Sequence, residues 1–115
     1  MNDDVELTTI EGGIAQLRLA RPPVNALNPP FLDRIAEALT GLAGDAGTRA
    51  VILTGSGSAL SAGMDLKEAV GFDRDQQTAM VDALNRCYAA AYEFPKPLIA
   101  AANGHAIAGG LFFVL

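Results

Sequence analysis

The stretch RAVILTGSGSALSAGMDLKE, residues 49–68, decides the fold class of this chain. It begins with a short apolar run bounded by glycine, residues 49–55, which is typical of a strand buried on both faces of a parallel sheet. The small residues that follow let the backbone approach another group closely, and Asp65 is suited to cap the start of a helix. The stretch therefore predicts a strand, a small-residue turn and a helix. It also raises the question of what the turn approaches.

A second stretch of the same design lies near the end of the sequence. LIAAANGHA, 98–106, predicts another buried strand, and NGHAIAGG, 103–110, supplies a second small-residue turn before GGLFFVL, which looks like the first turns of a helix. Two turns whose backbone amides converge on one point would form an oxyanion hole, a pair of N–H donors that stabilises an enolate. A simpler interpretation also stays open, in which these glycines only let helices pack closely on strands.

The rest of the chain switches between the period of a strand and the period of a helix. Residues 5–21 predict a hairpin that turns at Glu11-Gly12-Gly13, and Asn28 followed by Pro29 predicts a helix start. The predicted strands lie near residues 5–10, 14–20, 49–54 and 97–103, and the predicted helices near 29–43 and 75–93. This order predicts an α/β layer architecture with right-handed crossovers.

The composition excludes several classes of protein. Half of the 115 residues are hydrophobic and 18% are charged, which is typical of one globular domain or a piece of one. Eight basic against thirteen acidic residues give a net charge of −5, which argues against a nucleic-acid partner. The lone Cys87 cannot form an intramolecular disulfide, the acidic start is not typical of a secretory signal, and no apolar run is long enough to span a membrane. We therefore expect a cytoplasmic protein that has no membrane partner.

Four motifs carry a resemblance to a known family. RPPVNALN, RAVILTGSG, LSAGMDLKE and PKPLIAAANGHAIAGG, in this order, resemble the enoyl-CoA hydratase/isomerase (crotonase) superfamily, and are most similar to its 3,2-trans-enoyl-CoA isomerases. The resemblance implies an α/β fold built as a spiral of ββα units, of which residues 1–115 would be the N-terminal part of a single domain, incomplete at its C-terminus. It also implies an acyl-CoA thioester as substrate, coenzyme A present only as part of that substrate, no covalently bound cofactor, no metal, and a homo-oligomer, trimeric or hexameric.

The resemblance further implies the residues of the site. The backbone amides of Met64 and Gly109 would form the oxyanion hole, and Lys67 would lie near the CoA phosphates. The residues that would line the acyl-CoA are Ala62, Gly63, Met64, Asp65, Leu66, Lys67, Gly109 and Gly110. For Asp65 we expect a helix cap rather than a catalytic acid.

One position departs from the family pattern. Hydratases of this family place a glutamate three residues after the oxyanion glycine, where this chain has Phe112, whose ring cannot transfer protons. A second family glutamate would lie beyond Leu115. An apolar residue at the first position is similar to the 3,2-trans-enoyl-CoA isomerases, so we expect isomerisation from the whole protein, with hydration and the other reactions of the superfamily left open as alternatives. We expect no turnover from these 115 residues alone. The alternative is a non-catalytic acyl-CoA-binding or interaction module.

The remaining candidate residues favour structural roles. His105 has no evident partner for catalysis, and Cys87 lies on the apolar face of a predicted helix. Tyr88 and Tyr92 either flank the acyl pocket or simply pack. VILTGSGSALSAG superficially looks like the glycine-rich phosphate loop of a dinucleotide-binding fold, but a helix occupies the span where that fold needs its second strand.

Overall fold

The computed structural model describes residues 4–115, in which strands and helices alternate. The strands are β1 (Val5–Ile10), β2 (Ile14–Leu19), β3 (Ala50–Gly55), β4 (Ala59–Ser61), β5 (Leu98–Ala101) and β6 (His105–Ala106). The helices are α1 (Pro29–Gly44), α2 (Leu66–Ala69), α3 (Arg74–Tyr92) and a C-terminal 3₁₀ helix (Ala108–Phe113). The four predicted strands and the two predicted helices are confirmed close to their expected bounds.

Strands β1, β2, β3 and β5 form one four-stranded sheet in that order. β1 and β2 pair antiparallel as the predicted hairpin, whereas β2 with β3 and β3 with β5 pair in parallel. Because parallel neighbours need a crossover connection, α1 and α3 lie between them in the chain. β4 and β6 form a separate two-stranded parallel sheet, and this small sheet carries the two small-residue turns.

Helices α1 and α3 pack against one face of the four-stranded sheet. α1 begins where expected, because the Asn28 side chain accepts a hydrogen bond from the Phe31 amide at 3.0 Å and Pro29 takes the first position. A reciprocal capping box between Asp73 and Gln76 begins α3. The helices and strands share one buried apolar core that includes Leu17, Leu19, Leu32, Ile35, Leu39, Val51, Leu53, Met80, Ala83 and Cys87. Full burial of each large aliphatic side chain contributes about 1.5–3 kcal/mol.

The prediction that β3 and β5 are buried on both faces is wrong for the described residues. Val51 and Leu53 face the helices and are buried, but Ile52 on the opposite face is only half-buried, and Ile99 of β5 is 59% exposed. The apolar runs carry no polar alternation, which is why the sequence indicated two covered faces. Both helices lie on the same side of the sheet, and within residues 4–115 no second layer covers the other side.

The strands β4 and β6 near the turns were not predicted, and of α2 only its start at Asp65 was predicted. β4, β6 and α2 are two to four residues long, which is too short for a hydrophobic period to appear. The helix expected from GGLFFVL begins at the expected place, but it is a 3₁₀ helix of six residues.

Candidate active site

The two small-residue turns lie side by side. The amide of Ile107 donates to the carbonyl of Ser61 at 3.1 Å, which joins the second turn to the end of β4. Gly63 has a φ of +87°, and a Cβ there would lie 2.9 Å from the Ile107 carbonyl oxygen and 3.2 Å from the Gly109 nitrogen. A Cβ on Gly110 would overlap the Ser61 carbonyl group. Glycine is therefore required at both positions for the two backbones to touch.

The backbone amides of Met64 and Gly109 on these turns have no partner. Among the hydrogen bonds of residues 4–115, none uses the amide of Met64 or of Gly109 as a donor. The amides of Gly63 and Gly110 beside them are occupied: Gly63 N donates to Ser61 Oγ at 3.2 Å and Gly110 N donates to the Ile107 carbonyl at 2.8 Å. Unpaired N–H groups that are not fully shielded from solvent are free to donate to an anionic ligand atom.

Asn25 holds the first turn in place from the side. This side chain is fully buried in a left-handed backbone conformation with a φ of +54°. Its amide donates to the carbonyls of Ala59 and Leu60 at 3.2 and 3.0 Å, and its oxygen accepts from the amide of Arg21 at 2.7 Å. Ser61 Oγ donates to the Asn25 carbonyl at 2.7 Å. Asn25, at the end of the motif RPPVN, thus fixes β4, the strand that leads into the first turn. The prolines of the motif did not predict this role.

Leu27 extends this contact to the turn itself. Its amide donates to the Gly63 carbonyl and its carbonyl accepts from the Asp65 amide, both at 2.7 Å. Met64, between these two residues, forms an isolated parallel bridge with Leu27. Because both neighbours of Met64 are bonded to Leu27, the orientation of the Met64 peptide is set by the backbone rather than by its side chain.

Asp65 caps α2, as expected. One carboxylate oxygen accepts from the amides of Lys67 and Glu68 at 3.1 and 3.3 Å, and the other accepts from Arg21 Nη1 at 3.0 Å. Burial by itself raises the pKa of Asp65, but the hydrogen bonds from Arg21 and from the Glu68 amide outweigh it, so the pKa lies below its ordinary value. A carboxylate that is ionised at neutral pH and already accepts three hydrogen bonds is unsuited to act as an acid.

The other sequence-predicted site residues lie around the turn. Ala62 is half-buried and Met64 is 39% exposed, whereas Leu66 and Lys67 lie exposed on α2. Gly109 and Gly110 lie in the first turn of the 3₁₀ helix, where Gly109 is next to Gly63 and Gly110 is next to Ser61. The structure therefore brings the glycines of both turns together and leaves the α2 side chains facing solvent.

An aromatic cluster lies beneath the second turn. Tyr88 of α3 donates its hydroxyl to the Gly109 carbonyl at 2.7 Å, and its ring lies 5.4 Å from that of Phe112 and 5.3 Å from that of Phe113. These rings line one wall of an apolar cavity of about 590 Å³. Of the two tyrosines that the sequence left undecided, Tyr88 contacts the turn, whereas Tyr92 lines the cavity but is 93% exposed.

The remaining candidates stay outside the site. Burial raises the pKa of the Cys87 thiol to about 12, so this cysteine is the inert core residue that its position predicted. His105 is exposed in β6. Within residues 4–115 no three His, Cys, Asp or Glu side chains are grouped to hold a metal ion. None of the described helices is both long and apolar enough to cross a membrane.

The sequence comparisons agree with the motifs. A family model described as enoyl-CoA hydratase/isomerase matches residues 9–115. This chain belongs to the enoyl-CoA hydratase/isomerase family. One similar protein is the (7aS)-7a-methyl-1,5-dioxo-2,3,5,6,7,7a-hexahydro-1H-indene-carboxyl-CoA hydrolase of Mycobacterium tuberculosis, 40% identical over 93% of this chain and 44% of the relative. Another is the mitochondrial enoyl-CoA delta isomerase 1 of Rattus norvegicus, 35% identical over 91% of this chain and 37% of the relative.

Solved structures of the family share the fold. The enoyl-CoA hydratase of Bacillus anthracis superimposes with a TM-score of 0.91 at 32% identity, over 96% of this chain and 44% of that one. The human mitochondrial delta3-delta2-enoyl-CoA isomerase gives the same TM-score at 31% identity, over 97% and 44%. The chain has the crotonase fold, and it spans less than half the length of these relatives.

Proposed function

We propose that this chain supplies the oxyanion hole and part of the binding surface of an acyl-CoA site that isomerises enoyl thioesters through an enolate. The observation that carries the proposal is the pair of unpartnered amides, Met64 and Gly109, on two turns whose backbones are in contact. Family membership supports a CoA thioester as the substrate class. No covalently bound cofactor and no metal enter the proposal.

The chemistry follows from where charge develops. In the isomerisation a general base of the complete protein takes a proton from C2 of the 3-enoyl thioester, and the protonated base returns a proton at C4, so the double bond moves to C2–C3. Between the two transfers, negative charge lies on the carbonyl oxygen. Two N–H donors fixed beforehand on that oxygen stabilise the enolate more than the neutral substrate, and this difference lowers the barrier. The bonds that Leu27 and Ser61 make to the first turn hold the Met64 donor in position before the substrate arrives.

The substrate surface is proposed to follow the turn into α2. Ala62, Gly63 and Gly110 present small residues that leave room for the thioester, and Asp65 orders the segment by capping α2. Leu66 and Lys67 lie exposed beyond the turn, where the lysine charge would attract the CoA phosphates. Assembly into trimers or hexamers, which the family resemblance implies, is part of the proposal.

The preference for isomerisation rests on Phe112. Its ring packs on Tyr88. Because a phenyl ring carries no carboxylate, this position cannot activate water. The printed names of the relatives include hydratases, a delta isomerase and a carboxyl-CoA hydrolase, which share a CoA thioester but not a reaction. The same phenylalanine favours a second candidate, a non-catalytic acyl-CoA-binding or interaction module.

An amide-to-ester replacement tests the oxyanion hole. In the protein expressed from its complete reading frame, the hydroxy-acid analogue of methionine at position 64 replaces the N–H by an oxygen and keeps the side chain. We expect isomerisation of a 3-enoyl-CoA to fall about 10²–10³-fold, as it does when one such donor is lost. The matched control is the same replacement at Gly12, in the exposed hairpin turn.

The outcomes separate the candidates. Isomerisation of a 3-enoyl-CoA with weak hydration of a trans-2-enoyl-CoA supports the proposal, and residues 1–115 alone should show neither activity. Unchanged turnover after the replacement at position 64 would exclude the oxyanion hole. Binding of acyl-CoA without turnover of either substrate would establish the non-catalytic module instead.

A further inference from the structure

The hydroxyl of Tyr88 makes a contact that core packing does not require. It donates to the Gly109 carbonyl at 2.7 Å, across 21 positions of the sequence. The same helix is anchored in the core by Met80, Ala83 and Cys87, which are all buried. The hydrogen bond therefore joins the second turn to a helix that is packed in the core.

This bond completes the immobilisation of one peptide group. The carbonyl of the Gly109–Gly110 peptide accepts from Tyr88, and its N–H donates to the Ile107 carbonyl at 2.8 Å. The preceding residue, Ala108, has a φ of +49°, a conformation that a residue with a side chain seldom adopts. With both ends of the Gly109–Gly110 peptide held, the chain has little freedom to relax at Ala108, and the unpaired Gly109 amide on the peptide between them keeps its direction.

The surroundings of Tyr88 suit a permanent donor. The rings of Phe112 and Phe113 lie on it at 5.4 and 5.3 Å, tilted by 58° in each case, so its own ring has a defined position. Burial raises the pKa of Tyr88 to about 12, which keeps the hydroxyl protonated at neutral pH. A Cβ on Gly109 would lie 2.8 Å from the Tyr88 hydroxyl oxygen, so glycine at this position also serves the contact.

We infer that Tyr88 is a positioning residue for the oxyanion hole: its hydroxyl fixes the Gly109 turn so that the Gly109 amide points at the thioester oxygen. The inference rests on the proposed function. Tyr88 acts through the turn and needs no contact with the substrate. Because the hole binds the enolate more tightly than the thioester, a loosened turn lowers kcat more than it raises KM.

Tyr88→Phe tests the inference in the protein expressed from its complete reading frame. The variant keeps the ring between Phe112 and Phe113 and removes only the donor. We expect kcat for a 3-enoyl-CoA to fall about 5- to 10-fold with KM changed less than about 2-fold, which corresponds to one neutral hydrogen bond. Thr78→Val, which removes an exposed hydroxyl donor from the same helix, is the matched control and should leave both constants unchanged.

A second measurement does not depend on turnover. The infrared stretch of an isotope-labelled thioester carbonyl in bound octanoyl-CoA reports how strongly the hole polarises it. We expect the shift to lower frequency in the unchanged protein to shrink in Tyr88→Phe and not in Thr78→Val. Incorporation of p-aminophenylalanine at position 88, which restores an N–H donor, should recover both kcat and the frequency shift.

The outcomes distinguish the two hypotheses. If the unchanged protein binds octanoyl-CoA and shifts its carbonyl frequency, but Tyr88→Phe matches it in kcat and in frequency, the positioning role is wrong and the oxyanion hole stands. If the unchanged protein neither binds nor polarises the thioester, the proposed function fails and this inference fails with it. Loss of activity in Tyr88→Phe without rescue by p-aminophenylalanine would assign the residue a packing role and overturn the inference.

Discussion

On the covered face of the sheet, Leu17 and Leu53 are fully buried in the apolar core that α1 and α3 share with the strands. At the two turns the closest approaches join backbone to backbone, at Gly63 and Gly110. There a single buried side chain, Asn25, provides bonds to four peptide groups. One region is held by apolar area, the other by directional hydrogen bonds.

This difference determines whether a mutation in each region affects stability or the geometry of the turn. Apolar packing is non-directional, so a lost methylene weakens the whole fold but leaves a distant turn with its shape. Hydrogen bonds fix orientation, so a lost partner in the turn moves the donors that the proposed chemistry needs. Mutations in the two regions should therefore separate stability from acyl-CoA binding.

The largest effect on stability is expected in the core. Leu53→Ala removes a fully buried side chain of β3, and we expect the free energy of unfolding in urea to fall by about 2–5 kcal/mol. Acyl-CoA affinity, corrected for the folded fraction, should stay unchanged. Leu7→Ala is the matched control, since Leu7 lies on the same sheet face but is 53% exposed. Equal losses of unfolding free energy from Leu53→Ala and Leu7→Ala would contradict the view that the buried apolar core carries the stability.

At the first small-residue turn, a mutation is expected to lower acyl-CoA affinity as well as stability. Asn25→Ala removes this partner from the carbonyls of Ser56 and Leu60 and from the amide of Arg21, whereas the Ala59 carbonyl keeps its bond from Asn103. We expect a loss of about 1–3 kcal/mol in unfolding experiments. Titration with an acyl-CoA should show affinity lowered about 10-fold or more in the folded protein. Asn85→Ala, at an exposed position of α3, should change neither quantity. Normal affinity in Asn25→Ala would show that the turn does not need this support.

This division also explains which features the sequence could predict. The strands β1, β2, β3 and β5 and the helices α1 and α3 follow from apolar period, and the start of α1 follows from Asn28, because such signals are local. The family motifs marked both turns. The bonds of Asn25 to Leu60 and of Tyr88 to Gly109 join residues 35 and 21 positions apart, so no local sequence pattern predicts them. The uncovered sheet face was missed because an apolar strand does not report which side a helix takes.

The smallest effect is expected from a single charge at the turn. Asp65→Asn keeps a good helix cap but removes the charge that accepts from Arg21, and we expect stability at neutral pH to fall by less than about 1 kcal/mol. The pKa of Asp65 is lower in the folded chain than its ordinary value of about 3.9, so the unfolded state binds more protons as the pH falls. Its stabilisation is therefore complete above that ordinary value and is lost as pH falls through the folded-state pKa.

Asp45 offers a matched carboxylate away from the turns. The hydroxyl of Thr48, at 2.7 Å, and the amide of Gly47 lower the pKa of Asp45, so its stabilisation disappears in the same direction of pH. We expect Asp65→Asn and Asp45→Asn each to flatten the acid limb of stability measured by urea unfolding from pH 7 downward. Only Asp65→Asn should also weaken acyl-CoA binding at neutral pH, because only Asp65 orders the segment from Met64 into α2. If both variants weaken binding equally, the effect comes from net charge acting at a distance, and the ordering role assigned to Asp65 is wrong.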